Sequence, residues 1–153
     1  QLEKIDDLIN LRIKTSEMFL SVIKDTKCDY LIPQKSMEGV TNSYWAFSVL
    51  YEGLDKIGVS WKAFRKEYVT RGGDGIYASW SVPYLEPIMS ERKFVDVNPD
   101  VYSNIIYKKG SCPVAEEVQP KIMQFKNNYR SLDIALRQSN ILKDTINFFK
   151  NRE

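Results

Sequence analysis

The 153-residue chain contains no histidine. That removes the side chain that most often acts as general base near neutral pH, and with it the commonest nitrogen ligand of zinc. Neither a Ser-His-Asp triad nor a histidine-held metal site can be assembled from these residues. Cysteine is almost as scarce. Cys28 and Cys112 are the only two, and neither has a second cysteine nearby, so they make no disulfide framework and no paired metal ligand. This usage fits a reducing, cytoplasmic setting. No run approaches the roughly 20 apolar residues that cross a bilayer, and "QLEKIDDLIN" lacks the basic start and apolar core of a signal peptide. An excess of one charge is missing too. The 22 basic and 20 acidic residues leave +2, which gives no electrostatic basis for a nucleic-acid partner, and no membrane partner is expected either. The longest basic cluster, Lys62 to Lys66, is broken by Ala63 and Phe64 and reads as a solvated helix face rather than an anion site.

What is present suits one compact domain: 43% hydrophobic and 27% charged residues, with enough chain for a core. Leu2, Ile5, Leu8, Ile9 and Ile13 recur at helical steps, and Met18, Phe19, Val22 and Ile23 continue the stripe. No capping residue precedes Gln1 and no initiator Met is present, so a piece of a longer protein is expected. "LIPQ" leaves the helix through Pro33, and "KSMEGV" reads as loop. In "SYWAFSVLY" alternation places Trp45, Phe47, Val49 and Tyr51 on one strand face and Tyr44, Ala46, Ser48 and Leu50 on the other. The apolar content of both predicts burial on each side. Ser60 caps a helix to about Thr70 with Trp61, Phe64 and Tyr68 inward, and Gly72 or Gly73 ends it in the left-handed conformation.

"GIYASWSV" predicts a short strand, and residues 83–110, with prolines at 83, 87 and 99, a long loop. In "SCPVAEEV" Ser111 or Cys112 caps a helix whose first turn holds Pro113. A strand is expected at Ile122 to Phe125. A final helix follows with Ile134, Ile141, Leu142, Thr145, Ile146 and Phe149 inward. The order predicts α+β: a small antiparallel sheet of about three strands flanked by helices.

"RGGDGIYASW" invites a phosphate-loop reading, which fails. The glycines follow a helix and precede a strand, the reverse of a phosphate loop, and neither nucleotide-binding spacing is present. A helix cap and turn account for them. Tyr77, Trp80 and Tyr84 offer flat apolar faces with polar tips, suited to stacking on a sugar or nucleotide ring, although core packing uses such residues more often. Arg71 can clamp a carboxylate or phosphate, or it can be an ordinary helix-end arginine. Asp74, Glu86, Glu116 and Glu117 are the candidate acids and bases. Glu116 and Glu117 are adjacent on a helix and cannot face one another, so a paired-carboxylate mechanism has little support.

Four stretches in order resemble the DegT/DnrJ/EryC1/StrS sugar aminotransferases. "QLEKIDDLINLR" resembles the helix joining their two domains, and "NSYWAFSVLY" the strand that opens the small domain. "SWKAFRKEYVTRGGDGIYASWSVPYLEP" is similar to the helix, turn and strand that follow. "GSCPVAEEVQPKIMQF" resembles the later helix and closing strand. The resemblance runs from Gln1 to about Phe149. It implies the small C-terminal domain of a fold-type I enzyme dependent on pyridoxal 5'-phosphate (PLP), with residues 1–25 as the interdomain helix. The Schiff-base lysine then lies upstream, in a PLP-binding N-terminal domain, and neither a catalytic residue nor a PLP ligand is expected in this chain; no metal is implied.

The implied partners are that N-terminal domain, a second subunit in a homodimer, a nucleotide-linked keto-sugar and an amino-acid donor. The implied pathway is polysaccharide biosynthesis. Tyr77, Trp80, Tyr84 and Arg71 become candidate substrate-binding residues, in a segment that closes one side of the pocket. Many relatives carry a histidine in the segment corresponding to Tyr77 to Tyr84, and this chain has none, which leaves the substrate open. PLP-dependent sugar dehydration, a freestanding sugar-binding module, and an interaction domain docking through Ile5, Ile9 and Ile13 are the alternatives.

Overall fold

The computed structural model describes residues 2–151. They divide into two compact units, one running to Tyr77 and resuming at Ile122, the other spanning Ala78–Lys121. The first unit is the α+β core. Its helix α1 (Ile5–Asp25) is followed by β1 (Leu31–Pro33), β2 (Phe47–Tyr51), the short α2 (Gly53–Ile57), α3 (Trp61–Thr70) and β3 (Ile76–Ala78). After the second unit come β4 (Ile122–Phe125) and α7 (Leu132–Lys150), with α4 (Pro87–Ser90), α5 (Pro99–Tyr102) and α6 (Pro113–Val118) lying in between.

The sheet order is β1-β2-β4-β3. β1 and β4 flank β2 antiparallel, with Leu31 opposite Tyr51, Val49 opposite Met123 and Phe47 opposite Phe125. There are thus four strands rather than about three. The added strand is "LIP", which sequence reads as a helix exit. It is an edge strand, where a proline that cannot donate to a ladder is tolerated.

Only one face of β2 is buried. Phe47, Val49 and Tyr51 are inward while Ser48 and Leu50 stay half-exposed, which corrects the expectation of burial on both sides. Trp45 also departs from its expected face and is 73% exposed. The cause lies one residue earlier: Tyr44 has φ +47, a left-handed backbone that interrupts the pleat before Phe47. The inward sheet face packs on α1, α3 and α7 through aromatic contacts. Phe19 meets Phe47 at 5.4 Å and Phe125 at 5.7 Å, and Phe64 stacks on Phe149 at 5.7 Å. Burying such rings supplies most of what holds a unit of this size together.

The helices follow their sequence signals with two exceptions. On α1 the fully buried stripe starts at Thr15 and runs through Phe19 to Ile23, so Leu2 and Ile5 at the start of the pattern are exposed. On α7 Ala135, Gln138, Leu142, Ile146 and Phe149 face the core, whereas Ile134 lies off that stripe and is exposed. Elsewhere the rules hold. The Ser60 hydroxyl accepts from the Ala63 amide at 3.2 Å, starting α3 at Trp61, with Phe64 and Tyr68 buried and Trp61 partly so. Ser131 caps α7 in the same way through the Asp133 amide.

The second unit replaces the expected loop with short helical turns, α4, α5 and α6, each opened by a proline at its first position. Phe94 gathers Tyr102 and Tyr107 edge-on at 5.8 Å. Val82 is the unit's one buried residue among those described. No helix among the described residues is long and apolar enough to cross a membrane.

Candidate functional site

The turn after α3 positions the first candidates. Gly72 adopts φ +89, and the Gly72 amide donates to the Val69 carbonyl while the Gly73 amide reaches back to the Tyr68 carbonyl, both at 2.9 Å. This is the double bond pattern of a Schellman cap, which requires a residue free to take positive φ. A Cβ at Gly73 would come within 2.4 Å of the Tyr68 ring, so the second glycine is fixed by space.

A polar cluster from α7 then takes up the loop's polar groups. The Gln138 Oε1 accepts from the Asp74 amide at 2.8 Å and from the Tyr68 hydroxyl at 2.9 Å, and its Nε2 donates to the Gly72 carbonyl at 3.3 Å. The Asp74 carboxylate accepts from the Tyr129 hydroxyl at 2.9 Å and pairs with Lys126 at 3.2 Å. Burial raises the Tyr68 and Tyr129 hydroxyls well above the ordinary tyrosine range, and the nearby Asp74 charge adds to both, so they stay neutral donors. Asp74 is therefore a structural acceptor, with both of its observed partners inside the same unit.

Arg71 ends α3 and is engaged on two sides. Its Nη2 sits 2.8 Å from the Glu67 carboxylate, and its guanidinium lies over the Phe148 ring at 4.8 Å. A ligand anion at Arg71 has to compete with Glu67. Tyr77, on β3, differs: it is 58% exposed and makes no hydrogen bond or ring stack among the described residues.

The other two aromatics belong to the second unit. Trp80 is 83% exposed and likewise makes no stack or hydrogen bond there. The strand that leads to it stops at Ala78 instead of running on to Val82. Ser79 and Gln119 exchange two bonds, hydroxyl to carbonyl at 2.9 Å and amide to carbonyl at 3.2 Å, which take Ser79 out of a ladder.

Tyr84 is half-buried and its hydroxyl is occupied. It donates to Glu116 Oε1 at 2.5 Å and accepts from the Cys112 amide at 3.0 Å. Removal from water, and then the Glu116 bond, push Tyr84 up to about 12. The same hydroxyl, with the Gly110 amide at 2.7 Å, holds Glu116 below the usual carboxylate range. Glu116 thus closes the turn before α6 as an ionised acceptor, while Glu117 points to solvent and is exposed. Glu86 is exposed and accepts from the Ser81 hydroxyl.

A Schiff-base lysine must be desolvated enough to give up its proton. Every described lysine is exposed or half-buried, and Lys56 and Lys126 are tied to carboxylates, so the described residues do not by themselves fit a PLP site. Among the described residues no cluster of acidic or thiol side chains is arranged to hold a metal ion.

Two sets of polar residues were not singled out by sequence. Gln138 sits in the middle of an amphipathic helix, 70 residues from Tyr68 in the chain, and nothing local marks it. Arg12 and Arg130 line a small cavity with Leu8, Asn128 and Tyr129. Their meeting depends on how α1 packs beside the loop after β4, and no spacing rule reports that. In comparisons with known proteins, no protein-family model and no curated protein matches the chain.

Proposed function

We propose that this chain is the small C-terminal domain of a PLP-dependent aminotransferase acting on a nucleotide-linked keto-sugar, and that the segment after β3 closes one side of the substrate pocket. The α+β core, with a small antiparallel sheet flanked by helices, suits that reading, as does the order of the four sequence stretches. One observation carries the pocket assignment: Tyr77 and Trp80 present large unpartnered aromatic faces just past the turn that Gly72 and Gln138 hold. Such faces stack on sugar or base rings and exclude water from them. Tyr84 contributes ring surface, because its hydroxyl is already bonded. Arg71 is a weaker candidate than the aromatics, since Glu67 already neutralises it. PLP, when bound in the parent enzyme, supplies the electron sink. The residues here orient the sugar.

The test is expression of the reading frame extended upstream of Gln1. The longer protein is expected to show the visible absorbance of a PLP–lysine Schiff base and to aminate a keto-sugar nucleotide, while this chain purified alone shows neither. Trp80→Ala in the longer protein should leave the absorbance intact and lower kcat/KM about tenfold, the loss of one stacked ring. Stoichiometric PLP on a lysine of residues 1–153, or an unchanged kcat/KM in Trp80→Ala, overturns the reading. A histidine in place of the upstream lysine would assign dehydration instead. A second reading, an interaction module, is favoured by the exposed Leu2 and Ile5 on the first helical stretch. The absence of any upstream α/β domain would select it.

A further inference from the structure

Several arginines of this chain have an occupation within the fold. Arg71 pairs with Glu67, Arg65 donates to the Ile76 carbonyl at 2.9 Å, and Arg92 donates to the Ser103 carbonyl. Arg12 and Arg130 are different. Together with Leu8, Asn128 and Tyr129 they line a cavity of about 70 Å³, and no carboxylate is among its lining residues. Arg12 gives one N–H to the Trp45 carbonyl at 3.1 Å, which leaves the rest of its fork without a protein acceptor among the described residues. Arg130 makes no hydrogen bond or ion pair among them.

The walls of the cavity are pinned. Asn127, buried at the start of the loop, donates its amide to the Ser16 hydroxyl at 3.2 Å and to the Tyr44 carbonyl at 2.7 Å. Ser16 is one helical turn beyond Arg12, so α1 holds both the loop and the segment before β2. Tyr44 keeps its left-handed backbone at φ +47, and the Asn42 side chain accepts from its amide at 2.9 Å. Successive carbonyls of Tyr44 and Trp45 then receive Asn127 and Arg12. A non-glycine residue held in this region costs of order 1 kcal/mol or more and persists where the surroundings over-determine it. On the far side the Tyr129 hydroxyl is fixed on Asp74.

We propose that this cavity is a binding site for a small anionic group, the carboxylate or phosphate of a small molecule. Two planar guanidinium forks match the oxygens of either group bidentately, and Asn128 adds an amide donor. The space holds a few atoms beyond a single water, enough for the anionic group and too little for a sugar ring. Two like charges on one small cavity repel, and an anion between them removes that cost. The site lies in the α+β core and does not depend on the aminotransferase assignment.

The test is a titration of the isotopically labelled chain, followed by NMR, with inorganic phosphate and separately with acetate, at ionic strength held constant with chloride. Saturable shifts at the backbone amides of Asn128, Tyr129 and Arg130 are expected with at least one of the two. Saturation by phosphate alone or acetate alone identifies the group. Arg130→Ala, at an exposed position with no internal bond, should weaken binding at least about tenfold with thermal stability unchanged. Arg12→Gln should weaken it as strongly, and Arg137→Ala, on α7 and outside the cavity, should leave it unaltered. Shifts that never saturate, or saturation that survives Arg130→Ala, overturn the proposal.

Discussion

Gln138 is an uncharged amide in an otherwise apolar stretch of α7, and its three bonds reach the Tyr68 hydroxyl, the Asp74 amide and the Gly72 carbonyl. Replacing it by leucine keeps the volume and strands a fully buried tyrosine hydroxyl. Gln138→Leu is therefore expected to destabilise the core by about 1–3 kcal/mol, the cost of an unmet buried polar group, read from urea unfolding followed by circular dichroism. An unchanged midpoint would show that the three bonds contribute nothing net. Residues whose role is set within four or five positions were legible in the sequence. Ser60 caps the helix it precedes, and Gly72 takes the positive φ that the end of α3 requires. Gln138, Asn127 and the Arg12–Arg130 pair were not legible, because their partners lie tens of residues away. Arg71 shows the opposite limit: a plausible anion clamp by type is answered by Glu67 one turn earlier.

At the scale of elements, the turn between α3 and β3 is determined twice over. Gly72 supplies the backbone angle, and Gly73 makes room for the Tyr68 ring. Tyr68 cannot move aside, since its hydroxyl is held by Gln138. Gly73→Ala is expected to cost about 1–3 kcal/mol as an overpacked core site. Gly75→Ala, whose Cβ would meet the Tyr77 ring at an ordinary 3.5 Å, should cost less than half as much. Thermal unfolding of both variants checks this, and equal losses would remove the steric argument. The elements with strong periodicity, α1, α3, α7 and β4, were visible in the sequence. β1 was not, because a three-residue strand ending in proline has no periodicity to detect. Trp45 misled for a physical reason, as the alternation it belongs to is broken in the backbone at Tyr44.

Over the whole molecule, buried surface is unevenly distributed. The hydrophobic core cluster lies entirely within the α+β unit, and Ala78–Lys121 buries only Val82 among its described residues. Local opening free energy follows buried apolar contact. Backbone amides of residues 78–121 are therefore expected to exchange with solvent faster than those of α1, β2 and α7, by at least about a hundredfold. Hydrogen exchange followed by mass spectrometry measures this, and uniform protection would contradict it.

The α+β class was legible because helical and alternating stretches follow one another with clear turn residues between them. The division into two units was not, since prolines signal breaks without saying what surrounds them. The placement of the three tryptophans has an optical consequence. Trp45 and Trp80 are exposed and Trp61 is only partly covered, so the native protein emits largely as solvated indole. Its intrinsic fluorescence is a poor gauge of unfolding, and a sensitive gauge of anything that settles on Trp80.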